Sequence, residues 1–267
     1  MTIGAATSAV SVYDVAFGGN SGSWPLPAAD TTADMWLRAV AAGGQGRYGS
    51  ALSDLARLRR HTRHRRWASL ALSTQASFLR QLGWHDRARP LDGQAFALSG
   101  EDAEAAADAL IGLAADALGV GRFPASARAL ERAADLVTAS STERLPVRLA
   151  WVSAELAMVR GDGASAVASA ELAVRLAASL GSARHVVKSQ VVLAAALCSS
   201  GDIAAARREA DAALPQTASL GLVPLRWAVA SLLTDIGSEQ HSRVDLVGFR
   251  DMSAETVTIR GGVWRPR

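Results

Sequence analysis

Several things are scarce in this 267-residue chain, and each scarcity removes a class of protein. A single cysteine, Cys198, forbids an intramolecular disulfide and any thiolate metal cage, and its apolar helical surroundings make it a small core filler. Aromatic residues make up only 5% of a chain that is 49% hydrophobic, so alanine dominates, which favours closely packed helices over a sheet rich in β-branched residues. No uncharged apolar run reaches the roughly 18 residues of a membrane span, and the first 30 residues lack the basic and apolar regions of a secretion signal. The expectation is a cytoplasmic protein with no membrane partner. Lys188 is the only lysine, so nearly every cation is an arginine, and the net charge of +3 is too small to identify a nucleic-acid binder.

Motifs of common catalysts are also missing. There is no glycine-rich phosphate loop followed by Lys-Ser or Lys-Thr, no His-Glu-x-x-His and no serine flanked by glycines in the hydrolase manner. The five histidines, at 61, 64, 85, 185 and 241, are scattered. No catalytic residue, cofactor or metal ligand is nominated, and the chain is not expected to be an enzyme. His61 and His64 could share a helix face, but the flanking arginines oppose a metal cation.

What the chain does contain is a ladder. The element Gly46-Arg47-Tyr48-Gly49-Ser50-Ala51 returns in looser form at Gly83, Gly121, Gly161 and Gly201, with intervals of 37, 38, 40 and 40 residues. Seven residues before each glycine stand Ala39, Ala76, Ala114, Ala154 and Ala194; twelve residues after stand Leu58, Ala95, Ala133, Ala173 and Ala213. Small residues in phase on both sides of a glycine describe two antiparallel helices packed at close range. The glycine takes the left-handed position that ends the first helix.

This pattern resembles the tetratricopeptide repeat, with its small residues at the eighth, twentieth and twenty-seventh positions and its turn glycine at the fifteenth. The resemblance runs over roughly residues 32–220. The periods exceed the family norm of about 34 residues, and Ala42, Leu79, Ala117, Ala157 and Leu197 replace the aromatic eleventh position. The chain is therefore a divergent, long-period repeat of the kind found in bacterial regulators. The resemblance implies an all-α, right-handed solenoid of five antiparallel helix pairs plus a capping helix, with a short extended C-terminal tail.

First helices are expected near 33–44, 66–82, 103–119, 145–160 and 184–199, second helices near 47–60, 85–98, 123–139, 163–180 and 203–214, and the cap at 222–236. Three regions follow: a flexible segment at 1–30, the repeat domain at 31–236, and a partly extended tail at 237–267. In that tail Val244–Val247 and Thr256–Ile259 read as short extended pieces, and its apolar residues favour docking on the repeats or forming an interface. Trp24-Pro25-Leu26-Pro27 could be a linear anchor, for a partner or for the protein's own repeats.

Two surfaces could bind a partner. By the resemblance, first-helix positions lining a concave groove hold Trp36, Ser73, Ser77, Arg80, Asp108, Arg148, Trp151, Glu155 and Lys188. They lack the lysine and asparagine clamp for a terminal carboxylate and suit a segment of mixed polarity. Trp36 and Trp151 fit the groove or the core between repeats, since one residue of register exchanges the two. The second surface is Arg57-Leu58-Arg59-Arg60-His61-Thr62-Arg63-His64-Arg65-Arg66, a run without an acid. It could meet phosphates or an acidic protein surface, or stand as a solvated link at a helix C-terminus. The expected function is a non-catalytic adaptor that holds another protein, as peptide or acidic surface, through the groove, the arginine patch or both. A ligand-sensing regulatory domain and nucleic-acid binding through the arginines are the alternatives.

Overall fold

The five turn glycines do what their spacing demands. Gly46, Gly83, Gly121, Gly161 and Gly201 all have φ between +71° and +93°, the region a side chain disfavours. Behind each, the next residue's N–H reaches back five residues: Arg47 to the Ala42 carbonyl, Trp84 to Leu79, Arg122 to Ala117, Asp162 to Ala157 and Asp202 to Leu197, at 2.8–3.0 Å. These bonds close the last turn of one helix and aim the chain into the next.

The computed structural model describes residues 10–266 and is helical, with no strand among the described residues. After a short α1 (Val12–Phe17), the helices run two by two: α2 (Thr32–Gly44) with α3 (Tyr48–His61), α4 (Arg65–Gln81) with α5 (His85–Ser99), and α6 (Ala103–Gly119) with α7 (Phe123–Ala139). They continue as α8 (Arg144–Val159) with α9 (Gly163–Ser179), α10 (Ala183–Ser200) with α11 (Ile203–Ser219), and α12 (Val223–Ile236) with α13 (Arg243–Ile259). Each helix packs on the next, and the even-numbered helices α2 to α12 also touch one another in succession. No helix among the described residues is long and apolar enough to cross a membrane.

The small-residue register lies where the helices meet. Ala39, Ala76, Ala114, Ala154 and Ala194 are 0% exposed, and so are Leu58, Ala95, Ala133, Ala173 and Ala213. An alanine methyl at nine of these ten positions lets the backbones approach closely, and dispersion contacts along the helices follow from that approach. Cys198 is half-buried rather than enclosed, a lesser core role than its neighbours suggested.

Two expectations are corrected. The stretch from Gly237 is not a partly extended tail: residues 243–259 form α13, so α12 has a partner and is not a solitary cap. Ser242 and Asp245 make a reciprocal capping box at its start, and Leu246, Ser253 and Val257 bury at helical spacing. The β-branched residues read as strand are carried by that cap and that face. Beyond α13 the chain crosses the turns of the first two helix pairs. The Gly49 N–H donates to the Arg260 carbonyl at 2.9 Å, the Arg265 N–H to the Leu82 carbonyl at 2.9 Å, and the Trp84 indole to the Val263 carbonyl at 2.7 Å.

The segment 1–30, expected to be flexible, is also built in from residue 10 onward, while residues 1–9 lie outside the described residues. Ser11 caps α1, Val15 and Ala16 are buried, and α1 packs on α2 and α10. The Gln45 side-chain amide donates to the carbonyls of Ser21 and Ser23 at 2.8 and 2.9 Å, and Arg47 stacks 3.8 Å over Trp24. The Trp24-Pro25-Leu26-Pro27 piece therefore docks on the protein itself. A six-residue helix has too few turns to show a period, so tertiary contacts and not propensity hold it.

Close packing through alanine makes a direct prediction. Leucine at position 154 would overfill the crossing and cost about 2 kcal/mol of stability. Urea unfolding of Ala154→Leu checks it, and an unchanged midpoint would mean the helices meet less tightly than described.

Candidate binding face

The inner faces of α4, α6, α8 and α10 carry charged side chains that meet across helices. Arg80 on α4 reaches Asp92 on α5 and Asp116 on α6, the latter at 3.0 Å. Asp92 is fully buried, and it fits because position 112 is glycine: a Cβ there would run into the Asp92 carboxylate. Burial pushes the Asp92 carboxyl up to about 7, against the pull of Arg80 and with help from Asp116, whose own carboxyl is raised chiefly by burial. Asp92 Oδ1 and Asp116 Oδ2 are both buried without a hydrogen-bond partner. A proton on Asp92 leaves a single negative charge beside Arg80, which the guanidinium balances.

A second group joins α6 to α8. Arg144 donates to Glu104 at 2.8 Å and to Asp108 at 3.2 Å, while Arg148 lies 3.0 Å from the same Asp108 oxygen without a directed hydrogen bond. Arg66 on α4 also pairs with Glu104. Burial disfavours the Asp108 charge, but Arg144 and Arg148 outweigh it and hold its carboxyl below the usual value.

On α10 the balance differs. Arg184 has one acceptor, the Val40 carbonyl at 3.1 Å, and burial with the repulsion of Arg148 and Arg144 lowers it to about 10. The Lys188 ammonium sits 4.2 Å over the Trp151 ring. Burial lowers it to about 8; Glu155 opposes that, and Arg148, Arg184 and Arg80 reinforce it. Burial raises the Glu155 carboxyl, against the attraction of Lys188 and Arg80.

Rings run beside these charges. Trp67, Trp36, Phe17, His185 and Trp151 follow one another with centroid separations of 6.0, 5.8, 5.8 and 5.3 Å, crossing from α4 through α2 and α1 to α10 and α8. Phe17, from α1, joins the two halves of that row. A cavity of about 400 Å³ opens beside it, lined by Tyr13, Phe17, Trp36, Trp67, Glu104 and Arg144 among others.

The positions expected to bind thus divide. Trp36 and Trp151 are buried between successive even-numbered helices, their indoles donating to Thr74 and Ser189 at 2.9 Å each, which settles them as core. Ser73 is buried, and Ser77 turns back to the Thr74 carbonyl at 2.7 Å, so neither is offered to a partner. Arg80, Asp108, Arg148, Glu155 and Lys188 do come together on one side. Asp108 is enclosed, whereas Arg80, Arg148, Glu155 and Lys188 keep partial access to water.

The six arginines of the run are all exposed, whereas Leu58 is buried, and they are not one uniform patch. Arg65 donates to the Ala97 and Leu98 carbonyls at 3.0 and 3.2 Å, closing the end of α5, and Arg66 pairs with Asp102 and Glu104. Arg59 reaches Gln75 at 3.5 Å. Among the described residues Arg57, Arg60 and Arg63 make no ion pair.

Sequence reasoning passed over Asp92, Glu104, Asp116, Arg144, Arg184, His185 and Phe17. A signal existed for some of them. Glu104, Arg144 and Arg184 stand 40 residues apart, and so do Asp108, Arg148 and Lys188. Two columns of charge one helical turn apart therefore follow the repeat. Compared with known proteins, the chain matches no family model and none of the curated proteins.

The raised Asp92 carboxyl is testable. A carboxyl whose folded value lies above its unfolded one stabilises the fold fully below the unfolded value, near 4. That contribution is lost as pH rises through the folded value near 7. Wild type should therefore lose stability relative to Asp92→Asn between pH 5 and pH 8, the difference reporting Asp92 together with its neighbour Asp116. Denaturant midpoints at the two pH values measure the gap, and a gap independent of pH would rule out the raised carboxyl.

Proposed function

We propose that the protein is a non-catalytic adaptor of the tetratricopeptide-like kind, a right-handed solenoid of helix pairs that holds another protein on the side formed by its even-numbered helices. One observation carries the reading. Charged side chains from α4, α8 and α10 lie together, half-buried yet partly open to water, with Lys188 held over the Trp151 ring. Preorganised, half-open polar groups beside aromatic surface are what a binding groove presents to a segment of mixed polarity.

The chain's own N-terminal stretch supports this reading. Residues 11–27 lie against α2 and α10, with Phe17 inserted in the ring row and backbone carbonyls taken by Gln45 and Arg38. A short segment with an aromatic anchor and free carbonyls is therefore the kind of ligand this side accommodates. The cavity beside Tyr13 and Trp67 favours a second reading, a ligand-sensing domain, because about 400 Å³ is the volume of a small-molecule site.

Affinity purification followed by mass spectrometry tests the adaptor reading. Replacing Arg148 and Lys188 together with glutamate is expected to reduce partner recovery at least tenfold, while serine at Arg57, Arg60 and Arg63 leaves it intact. The opposite pattern would move the interface to the arginine patch, and recovery indifferent to both would remove the adaptor reading.

A further inference from the structure

The charge columns do not balance, and the imbalance has a location. Along one column the residues are Glu104 on α6, Arg144 on α8 and Arg184 on α10; along the other, Asp108, Arg148 and Lys188. The acids of α6 answer the arginines of α8. Forty residues beyond α10 the columns reach Pro224 and Ala228 on α12, so nothing in register answers Arg184 and Lys188. Lys188 has no hydrogen-bond acceptor or ion pair within reach among the described residues, and Arg184 has only the Val40 carbonyl. Glu155 is the carboxylate nearest this end, facing Lys188 from α8, and Asp108 is already shared by two guanidiniums. His185, between the two α10 cations in sequence, turns its ring into the stack with Trp151 and bonds Ser182 at 2.8 Å.

Like charges held close together and partly removed from water repel, and an anion that bridges them relieves the repulsion. Two guanidiniums and an ammonium also supply the forked and the point donors that oxyanions accept. We propose that Arg148, Arg184 and Lys188, partly exposed on the adjoining helices α8 and α10, seat a multiply charged oxyanion carried on a small molecule. The inference rests on the even-helix side being a binding surface, and it names a chemical class for one end of that surface.

Calorimetric titration of the full chain with inorganic pyrophosphate and, separately, succinate tests it, the two probes distinguishing phosphate from dicarboxylate sources. At least one should bind with a submillimolar dissociation constant at low salt and raise the unfolding temperature. Lys188→Gln is expected to weaken that binding at least tenfold, Lys188→Arg to restore most of it, and serine at Arg57, Arg60 and Arg63 to leave it unchanged. Arg184→Gln should weaken it as well, provided circular dichroism shows the variant folded. Absence of heat and of thermal shift with both probes overturns the proposal, as does equal binding by Lys188→Gln or loss of binding in the exposed-arginine variant. Partner recovery that still depends on Arg148 and Lys188 would then leave the adaptor reading standing without its anion seat.

Discussion

Everything in this molecule depends on how closely two helices can approach when the residue at their crossing is alanine. At 0% exposure, Ala39, Ala76, Ala114, Ala154 and Ala194 are sealed from water where helices meet, so a larger side chain there would press on the facing helix. The same methyl groups bury little area per residue. Stability must then come from the length of each contact and from polar links between successive even-numbered helices. A buried ion pair is weak evidence of net stabilisation, but removing one partner is costly, so such pairs fix register more than they add stability. Arg80 between Asp92 and Asp116, and Arg144 between Glu104 and Asp108, act in that sense.

The ends raise a different problem. Helices packed in succession leave apolar surface that must be covered or made polar. Here both flanking segments of the chain lie back on the helices. Residues 11–27 lie on α2 and touch α10, and residues 260–265 return from α13 to the turns at Gly49 and Gly83. The last helix pair therefore bonds directly to the first, through contacts such as Arg260 to the Gln45 carbonyl at 2.8 Å. Segments distant in sequence hold each other, which ties the fate of the termini to that of the whole.

The legibility of the sequence follows from this division of labour. Helices two by two were readable because glycine and alanine act locally: the left-handed turn needs the one, close approach needs the other, and both recur in phase. The expected ends of α4, α6, α8 and α10 fall within one residue of those observed, and α7 matches at both ends. α13 was misread because Val244, Val247, Val257 and Ile259 have the intrinsic preference of strands, while what decides the outcome is the Ser242–Asp245 cap and burial against α12. α1 was missed because six residues are too few to show a period and, beyond its Ser11 cap, its order is tertiary. At the candidate face, residues on the first helices came from register, but Asp92 lies on a second helix and reaches inward only because residue 112 has no side chain. No single-helix pattern encodes such a contact.

The charge columns were legible in principle, and they bear on function more than any isolated residue does. A fold that is locally consistent almost everywhere has glycine wherever φ is positive and alanine where helices meet. Against that background Arg184 and Lys188 are an exception. Partial burial removes water from two cations that have Arg148 as a common neighbour, and burial and repulsion together make both groups weaker bases. Serine or glutamine in either place would spare that cost without touching the alanine register. Unfavourable charge retained at a half-buried position is a feature of binding sites, because the stability lost in the empty protein is recovered when a ligand of opposite charge arrives. The same period that packs the helices thus sets acid against base from α6 to α8 and runs out of acids at α10, where Arg184 and Lys188 stand without a carboxylate in register.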